Sequence, residues 1–128
     1  TLLGICLGMQ LLAASSTEDG ATTGLEFVPN SVARFDDSPG LKVPHVGFNE
    51  VVVTERTGLF AGLPDVPHFY FVHSYRMEVG DLQVPHATCA YGGTFLAAFD
   101  AGQVAGTQFH PEKSQSDGLT VLRNFLRP

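Results

Sequence analysis

The 128-residue sequence has no tryptophan and only two cysteines, Cys6 and Cys89. Two cysteines make at most one bridge, far fewer than a small domain built on disulfides carries, so we expect a protein of the reducing cytoplasm. No apolar run approaches the ~18 residues that a membrane-spanning helix needs, and no basic segment precedes the apolar start. Disulfide scaffolds and membrane proteins are therefore disfavoured classes.

Positive charge is also scarce, with 7 Lys and Arg against 13 Asp and Glu and a formal net charge of −6. The cations are scattered, so no basic patch predicts binding to nucleic acid or to an anionic membrane. Hydrophobic residues make up 44% of the chain and charged residues 16%, which is typical of a folded globular protein. At this length we expect one domain, residues 1–128.

Hydrophobic patterning predicts a strand, a sharp turn and a helix at the start, then a strand-rich middle and a closing helix. The first strand is Leu2–Ile5, and apolar residues at helical spacing follow it over 7–12. Further strands, separated by Gly, Pro and Asp clusters, are predicted at 26–35, 49–54, 69–77, 88–90, 94–99 and 104–109. The closing helix is expected to be capped by Ser114 or Ser116 and to bury Leu119, Leu122, Phe125 and Leu126.

This order of elements indicates an α/β fold, although one βα unit does not complete a doubly wound sheet. The chain begins with Thr1 inside an apolar run. We therefore expect an N-terminal truncation, with further βα units upstream in the complete protein.

The sharpest motif is Gly4-Ile5-Cys6-Leu7-Gly8, which has the G-x-nucleophile-x-G form of a nucleophile elbow with sulfur in place of the hydroxyl. We expect Cys6 in a strained, exposed turn, with both glycines leaving room for neighbouring backbone. A helix N-terminus would lower the pKa of the thiol, and the Leu7 N–H would face a developing oxyanion. The alternative is a small buried cysteine between chance glycines.

A thiolate nucleophile needs a proton-transfer partner, and His110 stands out among five histidines. It follows the predicted strand 104–109, and Glu112, two residues on, could return to its imidazole and fix the tautomer. These residues predict a Cys6–His110–Glu112 triad. The alternative for His110 is a strand-end histidine bonded to backbone.

The other candidates carry weaker signals. His73, Ser74 and Tyr75 form a donor-rich tripeptide past an apolar strand, which suits ligand contacts or an ordinary strand end. Cys89 lacks glycine neighbours and is expected in the core. No C-x-x-C pair, H-E-x-x-H helix or glycine-rich phosphate loop is present, so neither a metal nor a cofactor is predicted.

Two segments together carry a family resemblance: Gly4-Ile5-Cys6-Leu7-Gly8-Met9-Gln10 and Gly106-Thr107-Gln108-Phe109-His110-Pro111-Glu112. They resemble the two hallmarks of class I, triad-type, glutamine amidotransferases. Within that family, segments 42–49, 69–75 and 113–115 resemble the glutaminase subunits of imidazole glycerol phosphate synthase. The resemblance runs from end to end of the chain.

The resemblance implies a flavodoxin-like mixed sheet with flanking helices, of which residues 1–128 are roughly the C-terminal two-thirds. It also implies glutamine hydrolysis through a glutamyl thioester, with ammonia channelled to a cyclase subunit in a heterodimer of histidine biosynthesis. By position, contacts to glutamine fall on Gln10, Glu18, His73, Ser74 and Tyr75. Residues near the partner fall on Asn49, Tyr70 and Lys113.

Two departures from the family pattern matter. Family members usually carry Trp where this chain has Phe48, which would loosen the interface. The family's first βα units and the glycine-rich loop beside the oxyanion site are absent from the numbered chain.

Three alternative functions remain. The protein could be another triad-type amidotransferase, a γ-glutamyl hydrolase, or an inactive fragment that only docks to a partner.

Overall fold

The computed structural model describes residues 1–127 as a strand-rich α/β fold with two helices. The strands are β1 Leu2–Ile5, β2 Ser15–Ser16, β3 Thr22–Thr23, β4 Ser31–Arg34, β5 His45–Glu50, β6 Val52–Val53, β7 His68–His73, β8 Tyr75–Met77, β9 His86–Ala90, β10 Thr94–Asp100 and β11 Val104–Thr107. The helices are α1 Leu7–Gln10 and α2 Gln115–Leu126, with 3-10 turns at Gly58–Phe60 and Pro111–Lys113.

Nine strands form one mixed sheet, in the order β1-β11-β10-β8-β4-β2-β3, with β9 on β10 and β6 on β9. Two pairs are parallel, β1 with β11 and β2 with β4, and the other pairs are antiparallel. A separate antiparallel ribbon joins β5 to β7. The predicted α/β class with a mixed sheet is confirmed.

The first helix is shorter than predicted, and the strand expected over 26–35 is present only as β4. Backbone amides of residues 24–28 donate to the carbonyls of residues 11–14, for example Leu25 N to Leu11 O at 2.9 Å and Gly24 N to Ala14 O at 3.0 Å. This pairing keeps residues 24–28 out of the sheet, so it overrides the local strand pattern there. The helix α1 ends early for a different reason: Leu12 N and Ala13 N donate three residues back, to Met9 O at 3.0 Å and Gln10 O at 3.2 Å, which is a 3-10 and not an α-helical pattern.

The predicted strand 69–77 is two strands that belong to different sheets. β7 pairs with β5, whereas β8 pairs with β4 and β10, and the chain changes sheet at Ser74. The predicted strand 49–54 likewise divides into the end of β5 and the short β6. The change of sheet at Ser74 opens the cleft described below.

The closing helix forms, but its predicted cap and apolar face are partly wrong. Ser114 precedes α2 without a capping bond; its hydroxyl donates to His110 O at 2.6 Å and accepts from Tyr70 N at 2.9 Å. Val121 is buried and Phe125 packs against the core, whereas Leu119 and Leu126 are 47% and 75% exposed. The buried face instead includes Gly118, which lies against Pro111.

Close packing between β1 and α1 sets the turn that carries Cys6. A Cβ added to Gly4 would lie 2.6 Å from the carbonyl oxygen of Gly8, which is backbone and cannot move aside. Gly8 itself has nothing within 4 Å of an added Cβ. The expectation that both glycines make room for backbone is therefore right for Gly4 and wrong for Gly8.

This contrast predicts opposite outcomes for two matched substitutions. We expect Gly4→Ala to lower the free energy of unfolding by ~1–3 kcal/mol, because the added methyl overpacks a backbone contact. We expect Gly8→Ala to stay within ~0.5 kcal/mol of the parent. Urea unfolding of the complete protein measures both; equal losses would contradict the packing described for Gly4.

Candidate active site

The turn between β1 and α1 presents Cys6 in a conformation that residues with a side chain rarely adopt. Its φ is 55° and its ψ −110°, and the residue is half-buried. The amide of Cys6 donates to Thr107 O at 2.7 Å, directly after the parallel pair of β1 with β11. Local strain is thus held by sheet pairing, as expected for a nucleophile elbow.

Three groups surround the sulfur of Cys6. The thiol lies 3.9 Å from the carbonyl oxygen of Val72, and Gln108 Nε2 donates towards the sulfur at 3.7 Å. The Leu7 N–H is near enough to favour the thiolate and lower the pKa of Cys6. Gln108 Nε2 and the Leu7 N–H are hydrogen-bond donors, so both would stabilise a negative charge on the sulfur.

The expected low pKa of Cys6 is wrong for the free protein. Burial raises the pKa of the thiol above its ordinary value and outweighs the Leu7 N–H and Gln108, which lower it; Glu112 and Glu18 raise it further. A helix of four residues adds little dipole to oppose these effects. The resting sulfur is therefore a thiol, which needs a base before it can attack.

His110 and Glu112 form a hydrogen-bonded pair beside the end of β11. His110 Nδ1 lies 2.9 Å from Glu112 Oε2, and the imidazole is 21% exposed. The backbone of His110 is held from both sides, since its amide donates to Tyr70 O and its carbonyl accepts from Ser114 Oγ. A carboxylate accepts only, so Nδ1 carries a proton, and in a neutral ring Nε2 has the free lone pair.

The strand register brings the pair to the same edge of the sheet as Cys6. Ile5 at the end of β1 lies opposite Thr107 at the end of β11, and His110 follows three residues later. The charge of Glu112 reaches the thiol strongly enough to affect its pKa. The structure therefore places the elbow and the His110–Glu112 pair at one edge of the sheet, and the triad itself stays a prediction.

A cleft of about 410 Å³ opens beside the sulfur, which is within the range of small-molecule sites. It contains all five residues to which the resemblance assigned glutamine contacts. Its lining is Cys6, Leu7, Gln10, Glu18, Val72, His73, Ser74 and Tyr75.

Gln10 has one orientation in this cleft. Its Nε2 donates to Tyr75 O at 3.0 Å and to Gln108 Oε1 at 2.9 Å, which uses both amide hydrogens. The carbonyl Oε1 is the group left for a ligand. Together with the exposed carboxylate of Glu18, it offers acceptors to a positively charged group.

The residues expected near a partner lie on the β5–β7 ribbon and after His110. Phe48 and Tyr70 face each other across the ribbon, with ring centroids 5.5 Å apart, and Lys113 is exposed. Asn49 differs, because its side chain turns inward to the ring of His45 at 3.3 Å. Asn49 therefore lies on the ribbon, but its side chain is bonded to the buried His45.

Sequence reasoning missed Gln108 and His45. Gln108 is 0% exposed and bonds to both Cys6 and Gln10, and His45 is bonded to His73. The available signal for Gln108 was an amide inside an apolar strand next to His110. No such signal marked His45, since it is joined to the cleft through His73, which lies 28 residues away.

Residues 1–127 show neither a metal centre nor a membrane-spanning helix. They contain no group of three or more His, Cys, Asp or Glu residues arranged to hold a metal ion. None of the helices described there has the length and hydropathy needed to cross a membrane.

The chain belongs to the class-I glutamine amidotransferase family, because the model of that family matches residues 1–128. Among curated proteins, it is 46% identical over 128 residues to the imidazole glycerol phosphate synthase subunit HisH of Geobacter sulfurreducens, covering 96% of this chain and 61% of that protein. It is 48% identical over 130 residues to the chloroplastic imidazole glycerol phosphate synthase hisHF of Arabidopsis thaliana, covering 98% and 22%. The chain thus spans less than two thirds of the curated relatives named here.

Solved structures agree with this assignment. A putative GMP synthase subunit from Thermoplasma acidophilum is 26% identical, with a TM-score of 0.63 over 96% of this chain and 54% of that one. The glutaminase domain of a Trypanosoma brucei CTPS has the same TM-score at 17% identity, covering 95% and 58%, which shows the shared fold. The predicted class I amidotransferase fold is confirmed.

The environments of the two cysteines predict different reactivity. Cys89 is 1% exposed, and burial raises its pKa to about 12, so an electrophilic glutamine analogue should label Cys6 alone. Alkylation of Cys6 should have a midpoint above the ordinary thiol range, and Gln108→Met should move it further up because a donor to the thiolate is lost. Peptide mass spectrometry across pH measures both.

The matched control is Gln83→Met, at an exposed glutamine that is far from Cys6 in sequence, and it should leave the midpoint of Cys6 alkylation unchanged. An adduct on Cys89, or an unchanged midpoint in Gln108→Met, would contradict the environment described for Cys6.

Proposed function

We propose that this protein is the glutaminase subunit of an imidazole glycerol phosphate synthase in the cytoplasm. It hydrolyses glutamine to glutamate and ammonia through a thioester on Cys6, and a cyclase partner uses the ammonia in histidine biosynthesis. The observation that carries the proposal is the His110–Glu112 pair, 2.9 Å apart, at the same sheet edge as the strained Cys6. The identity to HisH subunits supports the choice of subunit.

The geometry fits a thiol that is activated on demand. His110 Nε2 takes the proton of Cys6 as the sulfur attacks the side-chain amide of glutamine, and the Leu7 N–H receives the developing oxyanion. The same proton then goes to the amide nitrogen, the C–N bond breaks, and ammonia leaves a γ-glutamyl thioester. Water, deprotonated by His110, attacks the thioester; the C–S bond breaks, glutamate forms, and the Cys6 sulfur takes the proton back from His110. Glu112 keeps the imidazole in the required tautomer.

The cleft fits the polar end of a glutamine substrate. Gln10 Oε1 and the Glu18 carboxylate would accept from the α-ammonium group, since both line the cleft. Ser74 and Tyr75, at the change of sheet, also line it and would donate to the carboxylate end. His73 lines the cleft too, but its ring nitrogens are bonded to His45 and to Tyr75 O, so it would support Tyr75 and not hold the ligand itself. The side-chain amide would then extend towards Cys6.

Ammonia release by the complete protein with its cyclase partner tests the triad. We expect His110→Ala to lower kcat by at least ~10³-fold, because the proposed base is lost, and Glu112→Gln to cost less, because it only orients the base. His86→Ala, at a partly buried histidine on β9 outside the cleft, is the control and should stay near the parent. Parent-like turnover in His110→Ala would exclude the triad.

A partner surface next to the site is supported by an exposed apolar strip on the ribbon. Val46, Phe48, Tyr70 and Val72 pair across β5 and β7 on one face, and Val46 and Phe48 are 53% and 49% exposed. Val72 also contributes its carbonyl beside Cys6 at 3.9 Å. A cyclase that covers this strip, with Lys113 at its side, would therefore sit against the nucleophile.

Substitution within the strip tests the docking proposal. We expect Phe48→Glu to weaken cyclase binding by more than about tenfold, since a charge replaces a central aromatic contact. Leu126→Glu, at a 75% exposed residue on α2, is the matched control and should bind normally. Calorimetry measures both affinities; equal binding by the two variants would contradict the assigned surface.

Glutaminase turnover should rise when the cyclase and its ligand are added.

A further inference from the structure

A file of buried hydrogen bonds leads from Asn49 on β5 to Tyr75 at the edge of the cleft. Asn49 Nδ2 lies 3.3 Å from His45 Nε2, and His45 Nδ1 lies 3.0 Å from His73 Nε2. His73 Nδ1 lies 2.8 Å from the carbonyl oxygen of Tyr75. His45 and His73 are only 3% and 6% exposed, so water has little access to replace a lost partner.

The Tyr75 carbonyl, at the end of this file, determines which ring nitrogens carry a proton. A carbonyl oxygen only accepts, so His73 Nδ1 carries a proton and, in a neutral ring, its Nε2 accepts. His45 Nδ1 must then donate to His73, which leaves His45 Nε2 to accept from Asn49. Burial lowers the pKa of both histidines to about 4, so both rings are neutral at pH 7.

Aromatic neighbours hold the His45 ring in place. It stacks on Tyr91 with a centroid distance of 3.9 Å and on Phe71 at 4.9 Å. Phe35 meets the His73 ring at 5.1 Å and the His45 ring edge-on at 6.3 Å. The two imidazoles are therefore packed as core residues while their nitrogens point along the file.

The Tyr75 carbonyl connects this file to the nucleophile. It accepts from Gln10 Nε2 as well as from His73, and Gln10 donates its second amide hydrogen to Gln108. Gln108 in turn donates towards Cys6 Sγ. One carbonyl thus anchors both a cleft wall and the amide pair beside the sulfur.

We propose that His45 is a positioning residue of the glutaminase site, acting through His73 on the Tyr75 carbonyl and thereby on Gln10. This role rests on the proposed function, and His45 itself does not line the cleft. With the His45 donor present, His73 has one tautomer and its Nδ1–H is committed to Tyr75. Without that donor, His73 Nε2 is a buried acceptor with no partner, and a shifted proton or a rotated ring releases Tyr75.

A crossover between two variants of the complete protein with its partner tests this role. His45→Phe keeps a ring against Tyr91 but has no donor, whereas His45→Asn keeps an amide donor near Nδ1 but has no ring. We expect KM for glutamine to rise about tenfold in His45→Phe, with kcat changed far less, because a tenfold change corresponds to the loss of one buried hydrogen bond. KM in His45→Asn should stay within about threefold of the parent.

The opposite ranking, with His45→Phe like the parent and His45→Asn impaired, would show a packing role only and overturn the proposal. Thermal unfolding of both variants verifies that each is folded at the assay temperature.

The nitrogen-15 NMR signals of His73 give a readout that does not depend on turnover. The parent should show a protonated Nδ1 and a bare Nε2, and His45→Phe should disturb this pattern while His45→Asn retains it. An unchanged His73 signal in His45→Phe would overturn the positioning role even in an active enzyme. A parent that hydrolyses no glutamine would contradict the proposed function, and the spectra alone would then decide the role of His45.

Discussion

The parallel pairing of β1 with β11 is the constraint on which the site depends. Ile5 lies opposite Thr107, and the Cys6 amide closes the pair on the Thr107 carbonyl at 2.7 Å. Because both strands end at one edge of the sheet, two motifs about a hundred residues apart in sequence arrive together. The strained φ of 55° at Cys6 is supported by this pairing and by the close contact of Gly4 with Gly8. A change in register would separate Cys6 from the His110–Glu112 pair.

Behind the cleft lies a network of buried polar groups within a largely apolar core. Gln10, Gln108, His45 and His73 are all 9% exposed or less, and each is hydrogen-bonded to protein. Such a network is costly when one member is missing, since the remaining partner stays buried and unpaired. When every member is present, the amide and imidazole groups of this network have one arrangement instead of several.

Local pattern was enough to predict the elbow, the His110–Glu112 pair and most strands, because those features rest on short spacings and on alternating burial. It failed where distant chain segments compete. Residues 24–28 pair with residues 11–14 instead of joining the sheet, Ser114 bonds to Tyr70 instead of capping α2, and burial overrides the helix terminus at Cys6. Gln108 could not be found this way because its partners Cys6 and Gln10 lie far away in sequence, nor could His45, because its link to the cleft runs through the distant His73.

The central claim is that Cys6, activated by His110, carries the γ-glutamyl group during glutamine hydrolysis. The most direct measurement is mass spectrometry of the complete enzyme, quenched in acid during turnover with glutamine. The account predicts a γ-glutamyl adduct on the peptide that contains Cys6, and its absence in His110→Ala. Steady ammonia release from a protein in which Cys6 is replaced by serine, or an adduct on another residue, would contradict it.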